Sequence, residues 1–123
     1  MTTQEYLMQI KDIDLRIRSL EGELDDSDVE EDEEYADELR ARILSDMERY
    51  KELRFVIREQ IQELKDNRSA TLLTEYYLRG RSWDQVAAAL GMKSVKNVRT
   101  GMHTKALEQF SELFQNIYEN MTA

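Results

Sequence analysis

The chain has 123 residues, no cysteine, no proline and a formal net charge of −9. This length predicts one domain, or one small domain with an appended arm. The lack of cysteine excludes disulfides, thiolate metal sites and thiol catalysis. No apolar run reaches the roughly 18 residues of a membrane span, and the N-terminus lacks the pattern of a signal peptide, so we expect a cytoplasmic protein.

The first predicted element is a helix from about Thr3 to Leu24. Its apolar residues recur at spacings of four and three, as in a coiled-coil seam: Tyr6, Ile10, Ile13, Ile17, Leu20 and Leu24. Residues 25–34 follow with eight carboxylates in ten positions. Such a segment cannot bury an apolar face and predicts a solvated acidic loop.

A second long helix is predicted from about Tyr35 to Lys65. One set of its apolar residues recurs every seven positions: Ala36, Ile43, Tyr50, Ile57 and Leu64. Two such seams joined by one loop predict an antiparallel helical hairpin. We therefore assign residues 1–66 to a hairpin arm. Because the second helix is longer than the first, part of it must pack elsewhere, against a partner subunit or against the C-terminal part of the chain. We expect a homodimer formed through the long helices.

The run Asp66-Asn67-Arg68-Ser69 predicts a helix break and a new N-cap. A helix from about Ala70 to Arg79 follows, and Gly80 closes it. We place the second domain at residues 67–123. The fold class predicted overall is all-α, with a long N-terminal antiparallel hairpin followed by a C-terminal helix-turn-helix whose last helix is extended.

The helix-turn-helix is predicted from caps and from one glycine. Ser82 and Gln85 are spaced as a capping box, which starts a helix. Gly91 can adopt the left-handed conformation that ends a helix, and Ser94 can cap the next one. That last helix is predicted to extend to about Asn120, and its apolar series needs a partner surface, either the N-terminal hairpin or a second copy of the same helix: Leu107, Phe110, Phe114, Ile117 and Met121.

Positive charge is concentrated on this motif although the whole chain is acidic. Residues 79–105 carry six Lys and Arg side chains against one carboxylate, whereas residues 1–65 carry 10 against 20. Salt screens charges over roughly 8–10 Å, so the local excess governs attraction to phosphates. The pattern therefore predicts binding of double-stranded DNA by the second helix of the motif.

Angular positions on that helix separate a core face from a DNA face. Val95, Val98, Met102 and Ala106 share the predicted core face. We predict that base edges are read by Lys96, Asn97 and Thr100, whose side chains can pair with guanine or adenine or touch a thymine methyl. We predict that phosphates are bound by Arg79, Arg81, Lys93, Ser94, Arg99 and Lys105, which position the protein on the duplex.

No pattern of residues predicts catalysis, a cofactor or a metal. The chain has no phosphate-binding glycine loop, no nucleophile elbow and no grouped histidine and carboxylate residues. The acidic run lacks the central glycine of a calcium-binding loop. The single histidine, His103, is expected on the surface or on a phosphate. Gly101 within the last helix indicates either a close approach or a kink.

The segment YYLRGRSWDQVAAALGM followed by KAL resembles the C-terminal promoter-reading domain of bacterial sigma factors, region four. It is also similar to small phage regulators built on that domain, the ArpU-like and RinA-like late-gene activators. The matching positions are Gly80, Ser82-Trp83, Val86-Ala87, Leu90-Gly91 and Ala106-Leu107. The resemblance implies a transcription regulator that acts in a bacterial host cell, binds a promoter and contacts RNA polymerase.

The leading hypothesis from the sequence is a phage-type, sigma-like DNA-binding regulator that is not an enzyme. One alternative is a helical adaptor whose acidic hairpin and basic helix bind proteins. Another is a packaging protein of the small-terminase type, which also combines a helix-turn-helix with oligomerising helices.

Overall fold

The computed structural model describes residues 1–121, and every regular element within them is a helix. In chain order the helices are α1 (Thr3–Ser27), α2 (Glu33–Gln62), α3 (Asn67–Leu73), α4 (Trp83–Ala89), α5 (Val95–Asn97) and α6 (His103–Tyr118). A π-helical turn at Thr74–Leu78 continues α3, and another at Val98–Met102 joins α5 to α6. The predicted all-α class is confirmed, including the long N-terminal helical pair.

The acidic loop is shorter than predicted. α1 continues through Ser27, whose hydroxyl donates a hydrogen bond to a carbonyl one turn earlier (2.6 Å). α2 begins after Asp32, whose carboxylate accepts from the backbone N–H of Tyr35 (3.1 Å). An acceptor there satisfies an N–H that has no partner within the helix. The loop predicted over residues 25–34 is therefore corrected to residues 28–32.

Residues 12–56 form one of two compact units. Here the second half of α1 pairs with most of α2, and the two predicted apolar seams meet in one core: Leu20, Ile43 and Met47, with Ile17, Leu24, Leu39 and Tyr50 packed against them. An ion pair between Arg54 Nε and Asp14 Oδ1 (2.8 Å) links the same two helices. The heptad spacing thus gave the correct faces in this unit.

The other unit comprises residues 1–11 and 57–123. Its core includes the aromatic face of α6, where Phe110 lies with its ring centroid 6.0 Å from that of Tyr6 and Tyr118 stacks on Tyr6 at 4.5 Å. The Tyr6 hydroxyl donates to the side-chain oxygen of Gln60 (2.7 Å), so the buried phenol has a partner. The first turns of α1 therefore supply part of the surface that the last helix needs.

The break between α2 and α3 coincides with the domain boundary predicted at residue 66. Asp66 is the N-cap of α3, and its side chain accepts from the backbone N–H of Arg68 (3.0 Å). The two compact units divide the chain at a different place, because residues 57–62 of α2 belong to the unit that contains the C-terminal helices. α3 also starts three residues earlier than predicted, because the cap lies at Asp66.

Candidate nucleic-acid interface

Local hydrogen bonds build the helix-turn-helix. At the start of α4 the Ser82 hydroxyl accepts from the Gln85 N–H (3.3 Å), and the Gln85 side chain accepts from the Ser82 N–H (2.9 Å). Gly91 has φ +67°, a left-handed conformation that glycine adopts without steric cost. Ser94 then caps α5 by accepting from the Asn97 N–H (3.2 Å). The three predicted signals that begin and end these helices are confirmed: the Ser82–Gln85 capping box, the left-handed Gly91 and the Ser94 cap.

The predicted base-reading residues lie together on the exposed side of the helix that starts at α5. The side chains of Lys96, Asn97 and Thr100 are exposed, whereas Val98 is fully buried on the opposite side. The Thr100 hydroxyl donates to the Lys96 carbonyl (2.7 Å). Its hydrogen is therefore used within the helix, which leaves its oxygen lone pairs and methyl group for contact with another molecule.

Three cations of this helix and of the turn before it are unpaired. No carboxylate among residues 1–121 forms an ion pair with Lys93, Lys96 or Arg99, and all three side chains are exposed. We call Lys93, Lys96 and Arg99 the unpaired cations. Ser94 lies beside them, and its hydroxyl oxygen accepts the cap hydrogen bond, while its hydrogen stays available to donate to a phosphate.

The predicted phosphate contacts Arg79 and Arg81 are paired within the chain. Arg79 Nη1 lies 2.9 and 3.3 Å from the two carboxylate oxygens of Glu75, and Arg81 Nε lies 3.9 Å from one of them. Sequence reasoning missed this carboxylate, although the spacing of Glu75 and Arg79 is four residues, the usual separation of helical ion pairs. We call Arg79 and Arg81 the paired arginines.

Lys105 is the third predicted phosphate contact with an acidic neighbour. Its ammonium lies 3.9 Å from Asp66 Oδ2, the carboxylate that caps α3. The Gln109 side chain donates to the same oxygen (3.2 Å), and this bond is the main reason that the pKa of Asp66 is lowered. Lys105 therefore has a carboxylate partner within the chain, whereas the unpaired cations have none.

Arg68 is a cation that sequence reasoning did not include. It is exposed at the start of α3, and its Nη1 lies 3.8 Å from the sulfur of Met92. It forms no ion pair within the described part of the chain. The contact brings a fourth cation to the turn between α4 and α5. No sequence spacing relates positions 68 and 92, so only the tertiary structure identifies it.

His103 is buried, which corrects the expectation that it lies on the surface or on a phosphate. Its side chain is 8% exposed, and Nε2 lies 2.7 Å from the Tyr77 hydroxyl. Trp83 lies against the imidazole at 4.8 Å between ring centroids and stacks on Tyr76 at 4.0 Å. Burial lowers the pKa of His103, and a backbone hydrogen bond with Arg99 partly opposes that shift.

The same burial raises the pKa of the Tyr77 phenol, so its hydroxyl stays protonated. The hydroxyl can then donate to the neutral imidazole of His103. This aromatic cluster, made of Tyr76, Tyr77, Trp83 and His103, connects the π-helical turn after α3 with α4 and α6. It fixes the helix that bears the unpaired cations.

Gly101 lies within the π-helical turn at Val98–Met102. A Cβ atom added at Gly101 would meet no atom within 4 Å, so no close contact within the described chain requires a glycine at this position. The turn departs from regular α-helix geometry, and close approach of a phosphate to Gly101 stays a prediction.

Neither models of known families, nor curated proteins, nor solved structures match this chain. No helix within the described residues is long and apolar enough to cross a membrane. Residues 1–121 also contain no group of three His, Asp or Glu side chains placed to hold a metal ion.

Proposed function

We propose that the chain is a sequence-specific, DNA-binding transcription regulator of the phage or prophage type. In this proposal the exposed side of α5 and of the turn after it enters the major groove of double-stranded DNA. The observation that carries the proposal is the common face of Lys96, Asn97 and Thr100, opposite the buried Val98. These side chains include the amide that pairs bidentately with adenine.

The distribution of unpaired charge supports the same interface. Lys93, Lys96 and Arg99 are exposed without ion pairs in the described chain, and Arg68 lies at the same turn. Each cation that neutralises a phosphate releases counterions, which makes binding sensitive to salt. The acidic residues of α1 and α2 add negative charge, which weakens non-specific attraction to the duplex.

Binding to a duplex selected from a random pool tests the proposal. The double variant Lys96→Ala with Arg99→Ala is compared with the wild type by fluorescence anisotropy over a range of salt concentrations. We expect a loss of about 1 kcal/mol or more and a salt slope that is shallower by about 1 or more. The matched control is Arg42→Ala with Arg49→Ala, which removes two exposed arginines of α2.

The control variant is expected to bind like the wild type. Equal binding by the wild type and by the Lys96/Arg99 variant at every salt concentration contradicts the placement of the recognition helix. Selection that yields no enriched sequence contradicts sequence-specific recognition itself.

A homodimer through the long helices and a contact with RNA polymerase belong to the same proposal. Several large apolar side chains of α2 are exposed and available for such contacts: Leu44, Leu53, Phe55 and Val56. Sedimentation of the purified chain is expected to give a dimer mass.

The same exposed residues favour the alternative of a protein-binding adaptor, for which we expect a stable protein complex and no duplex binding at low salt. A ring-sized oligomer favours the packaging alternative.

A further inference from the structure

Glu75 lies between two arginines where α3 leads into α4. Its carboxylate accepts two hydrogen bonds from Arg79 and lies 3.9 Å from Arg81 Nε. The Arg81 backbone N–H also donates to the Glu75 carbonyl (3.0 Å). The Glu75 side chain is only 15% exposed, so solvent screens this carboxylate less than a surface one. The corner is thus a built arrangement of one anion with two cations.

Both paired arginines remain accessible from outside. The side chains of Arg79 and Arg81 are 52% and 40% exposed, so a phosphate oxygen can reach either guanidinium while Glu75 stays in place. One carboxylate facing two guanidinium groups leaves a net charge of +1. The corner therefore attracts a duplex less than two free arginines would. Each of its arginines also attracts the duplex less than Lys93, Lys96 or Arg99 does, because those cations have no such partner.

We propose that Glu75 is a specificity-determining residue that acts as an internal counter-ion for Arg79 and Arg81. This inference rests on the proposed function, since it concerns how the same interface distinguishes one duplex from another. The paired arginines contribute to binding only where a duplex phosphate is held close enough to compete with the Glu75 carboxylate. A correctly seated recognition helix provides that position, and a loosely bound, non-specific duplex does not.

The energetics agree with such competition. An ion pair whose arginines remain this exposed is weak enough for a phosphate, which carries a full charge and several acceptor oxygens, to displace or share it. A non-specific complex is held by counterion release alone, and it gains less where part of the positive charge is already balanced by a carboxylate. Glu75 thus lowers non-specific affinity more than specific affinity, which raises the ratio between them.

The test compares Glu75→Gln with Asp84→Asn. Both substitutions change the net charge equally, but Asp84 is exposed on α4 and forms no ion pair within the described chain. Each variant is titrated with the selected duplex and with a scrambled duplex at several salt concentrations. For Glu75→Gln we expect scrambled-duplex affinity to rise about threefold or more, with a salt slope steeper by about 1. For the same variant we expect the ratio of selected-duplex affinity to scrambled-duplex affinity to fall. We expect Asp84→Asn to give less than half of each change.

A second set of variants identifies the cations involved. Arg79→Ala with Arg81→Ala is made in the wild type and in the Glu75→Gln background. We expect this pair to weaken scrambled-duplex binding clearly more in the Glu75→Gln background, where the arginines have no internal partner. Circular dichroism melting checks that each variant is folded; glutamine keeps the length of the side chain and one acceptor for Arg79.

Two results overturn the inference. If Glu75→Gln and Asp84→Asn behave alike, Glu75 contributes only to the overall charge. If Glu75→Gln weakens binding to the scrambled duplex, Glu75 positions the arginines and does not compete for them. Either result leaves the proposed function intact as long as the Lys96/Arg99 variant loses affinity. Failure of the proposed function is recognised separately, because in that case the Lys96/Arg99 variant binds like the wild type.

Discussion

The Tyr77 hydroxyl lies 2.7 Å from His103 Nε2, and this contact joins the π-helical turn after α3 to the first residue of α6. Both side chains are buried, and Trp83 of α4 packs on the imidazole. Because α5 and the π-helical turn after it run directly into α6, this hydrogen bond helps to hold the orientation of the proposed DNA-reading face.

The burial of His103 predicts a dependence of stability on pH. Burial lowers its pKa below the ordinary value of about 6.5, so the folded chain binds fewer protons than the unfolded chain near that pH. The free energy of unfolding therefore falls as the pH drops through about 6.5 toward the lower pKa of the folded state. Urea unfolding measured between about pH 7.5 and about pH 5.5 detects the decrease, before most carboxylates titrate.

The matched variant for this prediction is His103→Gln, which offers Tyr77 an acceptor but has no titrating ring. It is expected to show a flatter dependence on pH over the same range. Parallel curves for the two proteins mean that the decrease arises from other groups.

Tyr77→Phe tests the buried hydrogen bond itself. Removing the hydroxyl leaves His103 Nε2 without its donor, so we expect a loss of stability of about 1–3 kcal/mol. Tyr76→Phe is the control, since the Tyr76 ring stacks on Trp83 but its hydroxyl has no hydrogen bond to the described residues. It should change the free energy of unfolding by less than about 0.5 kcal/mol. Chemical denaturation followed by circular dichroism measures both, and equal effects contradict a special role for Tyr77.

Two glycines of the motif should respond to alanine in opposite directions. Gly91 has φ +67°, so Gly91→Ala forces a left-handed conformation and should cost roughly 1–2 kcal/mol. Gly101 lies in helical backbone with open space around a new Cβ, so Gly101→Ala should stabilise the fold by up to about 1 kcal/mol. Thermal melting measures both changes. If Gly101→Ala is more stable but loses DNA affinity, the glycine serves close approach of the duplex.

Thr100 is expected to recognise DNA through its methyl group, because its hydroxyl hydrogen is bonded to the Lys96 carbonyl. Thr100→Val keeps a methyl group at the position and should bind within about twofold of the wild type. Thr100→Ser lacks the methyl and should bind more weakly. Replacing thymine by uracil at single positions of the selected duplex removes the other half of the contact. Wild-type binding that is unaffected by uracil at every position argues against this mode of recognition.

Sequence reasoning was most successful where the deciding interactions are local. The Ser82–Gln85 capping box, the left-handed Gly91 and the Ser94 cap each depend on residues within a few positions, and all three were predicted correctly. The two apolar seams of residues 12–56 were also correct, since helical periodicity alone defines those faces.

The errors and omissions arise from tertiary contacts. The sequence around His103 resembles that around any exposed helical residue, because its partners Tyr77 and Trp83 come from the π-helical turn after α3 and from α4. Arg68 reaches the helix-turn-helix only through its contact with Met92. Spacing alone therefore gave the correct exposed face of the helix that begins at α5, but it could not tell which cations carry an internal partner.

The π-helical turn at Val98–Met102 determines how an insertion or a deletion would affect the C-terminal part of the chain. Besides His103, the buried residues recur there at every fourth position or multiples of it: Val98, Ala106, Phe110, Phe114 and Tyr118. A uniform α-helix repeats every 3.6 residues and would carry such a series gradually around its circumference. The wider turn accommodates an extra residue and offsets part of this rotation. Inserting or deleting one residue after Met102 would instead turn the aromatic side chains of α6 away from Tyr6 while leaving Lys96 and Asn97 in place.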